Sequence, residues 1–106
     1  MKSTLFALLL VGCLGPDTTE QCVTGRTTSS NTCEQELDTD AKEDIEQSCA
    51  RQSGFAQSKG CAVERKDYLD CQNEAIVSSS CESLLDDVAL ACSYELGRYE
   101  GCIDAS

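Results

Sequence analysis

The sequence predicts an all-α fold, a small disulfide-stapled three-helix bundle built around a helical hairpin. Three observations carry this. Apolar residues and cysteines recur at helical spacing in three stretches after residue 32. Val and Ile are scarce while Ala, Leu, Glu and Gln dominate, a composition that favours helix over strand. Cysteines recur at near-regular intervals from Cys22 to Cys102, in a chain with no Trp and 5% aromatic residues. So thin a core calls for covalent staples.

In chain order, residues 1–12 read as an export signal. Lys2 supplies a minimal positive start, and the apolar run over residues 5–11 falls short of the ~20 residues a membrane span needs. Residues 14–32 are rich in Gly, Ser and Thr and nearly free of apolar side chains, so residues 13–32 read as a polar tether, interrupted by Cys22. The domain proper is expected over 33–106.

Leu10-Val11-Gly12-Cys13 resembles the lipobox of bacterial lipoproteins. In that family the cysteine sulfur receives a diacylglycerol, the chain is cut just before it, and the new amino group is acylated. The resemblance implies that Cys13 is the lipid-attachment residue and that the protein's membrane partner is reached through it. Several acyl chains hold a protein firmly where one holds it marginally. Leu14, in place of the Asp that marks inner-membrane retention in the enterobacterial pattern, implies the outer membrane. The cysteine count agrees: nine is odd, and setting Cys13 aside leaves eight, enough for four bridges in an exported domain.

The first expected helix opens near residue 33. Cys33, Leu37, Ala41, Ile45 and Cys49 fall on one face. Thr32 with Gln35, or Asn31 with Glu34, would cap its start, and Gly54 would end it. The second covers residues 61–77, with Cys61, Tyr68, Leu69, Cys71, Ala75 and Ile76 on its apolar side, and the serines at 78–80 stop it. Ser79 with Glu82 resembles a capping box for the third, whose stripe runs Cys81, Leu84, Leu85, Val88, Cys92, Leu96 and Tyr99. Gly97 and Gly101 weaken its end.

Cys61 with Cys102 and Cys71 with Cys92 share a midpoint near residue 81, so an antiparallel hairpin folded there brings both pairs together. This resembles the twin C-x9-C pattern of coiled-coil-helix–coiled-coil-helix proteins, in which two bridges staple a helical hairpin. Only that geometry is carried over, because here the spacer is longer and contains Cys81. The remaining cysteines are expected to pair Cys22 with Cys33, closing the Thr/Ser loop, and Cys49 with Cys81, although spacing alone leaves 105 connectivities open.

The sequence offers little catalytic chemistry. Without histidine, Ser-His and Cys-His nucleophiles are excluded. There is no C-x-x-C, and Asp38–Asp44 lacks the glycine and distal glutamate of a calcium loop, so no metal or cofactor is expected. Arg51, Lys59, Arg65 and Lys66 read as solvated charge, and Phe55 as a core plug at a bend. The net charge of −11 becomes more negative once Lys2 is removed, and no basic footprint for nucleic acid exists. The expectation is a non-enzymatic, lipid-anchored structural or binding module of the cell envelope with a protein partner of unknown identity. The alternative is a freely secreted signalling protein, since "CESLLDDVALAC" resembles the short Cys-to-Cys helices of ciliate pheromones.

Overall fold

The computed structural model describes residues 14–106. The leader and Cys13, the expected lipid site, lie outside the described residues. The fold is all-α, a disulfide-stapled bundle built around a helical hairpin. Its helices are α1 (Thr19–Thr32), α2 (Thr39–Ser58), α3 (Ala62–Val77), α4 (Leu84–Ala91) and α5 (Ser93–Ala105), with no strand among the described residues. Helix α3 is the hub and packs against all four others.

The hairpin consists of α3 running one way and α4–α5 running back. Cys71–Cys92 joins its middle and Cys61–Cys102 its open end. Ser78 and Ser79 end α3 by donating their hydroxyls to the carbonyl of Ala75, so Ser79 closes one helix and does not cap the next. The return limb starts at Leu84, where Ser83 donates to Asp87 (2.8 Å). It is broken at Cys92, whose backbone (φ −117°, ψ 17°) leaves the helical region. The single third helix of the sequence reading is therefore two.

The N-terminal part differs most from expectation. The stretch read as a tether is helix α1, packed on α2 and α3. Its Thr, Ser and Gly content gives weak helix propensity, so tertiary contacts and two bridges hold it. Those bridges are Cys22–Cys49, to α2, and Cys33–Cys81, to the turn before α4. The expected pairs Cys22–Cys33 and Cys49–Cys81 are corrected by this helix. Eleven helical residues separate Cys22 from Cys33 by ~16 Å, and a disulfide needs Cα atoms ~4.4–6.8 Å apart. Gly25 lets α1 approach α3 closely: a Cβ there would lie 2.5 Å from Asn73 Oδ1.

Helix α2 starts later and ends later than the spacing suggests. Residues 31 and 32 finish α1, and Glu34, at φ 55°, turns the chain. Asp38 then caps α2 by accepting from the Ala41 N–H (2.7 Å). The helix runs through Gly54 and stops at Gly60, whose φ of +73° suits glycine. Phe55, expected in the core, is 49% exposed. The core is thin, as anticipated, and consists of two patches. One gathers Cys22, Cys49 and Leu69, the other Ile76, Leu84 and Val88.

Candidate functional site

A buried polar network sits where the chain enters α1. Thr18 is fully buried and Arg65 is 7% exposed. The Thr18 N–H donates to Ser53 Oγ (2.9 Å), and the Ser53 hydroxyl donates to Asp17 (2.9 Å). Asp17 also accepts from the N–H and hydroxyl of Thr19 at 2.9 and 2.6 Å, at the positive end of α1. These bonds, the Thr19 hydroxyl foremost, hold the Asp17 carboxyl below the usual carboxylate range.

Arg65 joins this network to a cleft. Its Nε–H donates to Thr18 Oγ1 (3.2 Å) and its Nη2 to Gln52 Oε1 (2.9 Å). The guanidinium also lies 5.8 Å from the Tyr99 ring centroid. Gln52 Oε1 accepts a second, longer bond from Arg26 (3.4 Å). One neutral oxygen thus stands between two guanidinium groups. Among the described residues, the salt bridges are Lys66–Asp70 and Arg98–Asp67, and neither involves these arginines.

The cleft, of about 490 Å³, lies between α1, α2, α3 and α4 and is walled by members of both core patches. Arg26, Gln52, Arg65 and Tyr68 line it together with Leu69, Ile76, Leu84 and Val88. Burial pushes the Tyr68 hydroxyl above its ordinary pKa, with Glu100 adding to the effect and Arg65 opposing it. Tyr68 accepts from Gln72 (2.8 Å). Two acceptors on the lining, Gln21 Oε1 and Asn73 Oδ1, are buried with no hydrogen-bond partner among the described residues. No acidic side chain lines the cleft, although the chain has nineteen.

The four bridges bring together the eight cysteines singled out in the sequence, Cys22, Cys33, Cys49, Cys61, Cys71, Cys81, Cys92 and Cys102. Glu64 approaches the Cys61–Cys102 sulfurs and Glu95 the Cys71–Cys92 sulfurs. Those sulfurs are bonded to each other, so neither group offers a thiolate to a metal.

Sequence reasoning missed Arg65 and the cleft. Arg65 was read with Arg51, Lys59 and Lys66 as solvated charge, and it is buried. A signal was present: Cys61, Arg65 and Leu69 recur every four residues, which places the guanidinium on the same helical face as two core residues. Compared with family models, with curated proteins and with solved structures, the chain finds no match.

Proposed function

We propose that this chain is an exported, disulfide-braced binding module, anchored at the outer membrane of a bacterial envelope by lipid on Cys13. It works by binding and not by catalysis. The cysteine pairing carries this reading. All eight described cysteines are used up among themselves, so none of them is left to pair with Cys13, and Cys13 ends the lipobox-like Leu10-Val11-Gly12-Cys13. Four structural bridges belong to an oxidising compartment. No helix among the described residues is long and apolar enough to cross a membrane, so retention at a membrane would fall to the lipid. The cleft supports binding: it is concave, mostly apolar, and carries a few convergent polar groups.

Intact mass of the native protein, before and after reduction and alkylation, tests this. The expected mass begins at Cys13 and includes glycerol and three acyl chains, with eight thiols appearing only on reduction. Cys13→Ser is expected to free the protein from membranes with all four bridges intact. A lipid-free mass beginning beyond Cys13 would refute the anchor and make the chain a freely secreted protein.

A further inference from the structure

The cleft has a polarity gradient that specifies its ligand. Its floor is α3, and the lining residues of that helix run from Arg65 to Ile76. At 1.5 Å per residue this spans ~16 Å. At the Arg65 end stand two guanidinium groups, Arg65 and Arg26, sharing the neutral oxygen of Gln52. In the middle lie Tyr68, Leu69 and Gln72. At the far end the walls are Ile76, Leu84 and Val88.

Each zone asks for a complement. Two arginines with no carboxylate partner among the described residues favour an anion, to which their remaining N–H donors can make charge-assisted bonds. The apolar end favours an aliphatic chain. The exclusion of acidic side chains from the lining, on so acidic a chain, keeps this one region compatible with negative charge.

We propose that the cleft binds a single-chain anionic amphiphile, with its acid group at Arg65 and Arg26 and its tail between α3 and α4. This rests on the reading of the protein as a binding module but not on the lipid at Cys13. A volume of about 490 Å³ lies in the small-molecule range and suits a free amphiphile. A bilayer surface is a poorer partner, because the acidic exterior repels anionic membranes.

The test uses the full chain carrying Cys13→Ser, which needs no detergent that would compete for the cleft. Calorimetric titration, below micelle-forming concentrations, compares decanoate, decanol and decyltrimethylammonium. Saturable binding of one decanoate per chain is expected. Decanol and the cationic amphiphile should bind at least about tenfold more weakly than decanoate. Amide chemical-shift changes should map to Gly25, Gln72 and Asn73. Arg26→Gln, a change at an exposed side chain, should weaken decanoate about tenfold while leaving the helical spectrum unchanged.

Equal binding of decanol and decanoate, an unaffected Arg26→Gln variant, or shifts mapping elsewhere would overturn the proposal. Sedimentation with phosphatidylglycerol vesicles is expected to be negative, and co-sedimentation would assign the arginines to a membrane headgroup instead. A lipid-free native mass would refute the anchor and leave these titrations standing.

Discussion

Removing the bridge between α1 and the hairpin turn isolates the covalent contribution to stability. In the double variant Cys33→Ala/Cys81→Ala the lost bridge spans 48 positions, the widest separation of the four. Chain-entropy scaling gives ~4 kcal/mol at 25 °C for a loop of that length. The other bridges barely change this value, because the shortest detour between the two residues saves only a few positions. That detour runs back along α1 to Cys22, crosses to Cys49 and goes on to Cys81, and one through Cys71–Cys92 is no shorter than the direct chain. Packing adds little to the loss, since Cys81 is exposed and Cys33 only half-buried. For a domain of 60–100 residues, ~4 kcal/mol corresponds to a fall in Tm of ~16–32 °C. Guanidinium unfolding without reductant is the assay. It should show a lower midpoint and a steeper dependence on denaturant, because the released unfolded chain exposes more surface. A loss below ~1 kcal/mol with an unchanged slope would refute the reasoning and show that α1 is held by its contacts alone.

Ser53→Ala should cost ~1–3 kcal/mol, because it leaves the buried Thr18 N–H unpaired and removes one of the bonds to Asp17; an unchanged denaturation midpoint would contradict the network. Asp17 sets part of the acid limb. Its folded pKa is lowered, so its stabilisation is complete above the ordinary value of about 3.9 and is lost as pH falls through the folded value. Asp17→Asn should flatten the stability profile below about pH 4, and a profile parallel to wild type would exclude the role. Gly25→Ala gains ~1 kcal/mol in helix propensity yet should be net destabilising, since its Cβ would meet Asn73 Oδ1. The same change in an Asn73→Ala background should recover most of the loss, and strict additivity in that double-mutant cycle would refute the contact.

The hairpin was legible because two cysteine pairs with a common midpoint encode an antiparallel fold directly, independent of propensity. Residues 61–77 show both the stripe and the serine stop that the structure uses at Ala75. Helix α1 was not legible, because Thr19–Thr32 has no apolar stripe and its helicity comes from partners distant in sequence, Cys49, Asn73 and Cys81. Missing that helix made Cys22–Cys33 look like a natural loop, and the error propagated to Cys49–Cys81. The break at Cys92 was hidden because Leu84, Val88 and Cys92 continue an unbroken period into Leu96. Arg65 was hidden by its neighbours, since Glu64, Lys66 and Asp67 make it look like one member of a solvated run. Burial of a cation depends on donors being satisfied at a distance, here by Thr18 and Gln52, and local sequence carries no trace of those partners.

Covalent bracing and the cleft are connected. A bundle of this size normally gains its stability by filling its interior, and a cleft of about 490 Å³ between two core patches would be a heavy burden. The bridges act instead largely by restricting the unfolded chain, each on the order of 3–4 kcal/mol at these loop lengths. That stabilisation does not require the space between α1, α2, α3 and α4 to be packed. Bridges hold α1 to α2 and to the turn before α4, and α3 to the return limb on either side of its Arg65-bearing segment, so the helices around the cleft are fixed from outside it. The interior is thereby free to carry Arg65, Gln21 and Asn73, residues that a core built for stability alone would replace with Leu and Ile. The staples and the polar lining are then two parts of one design, in which the frame is covalent so that the centre need not be packed.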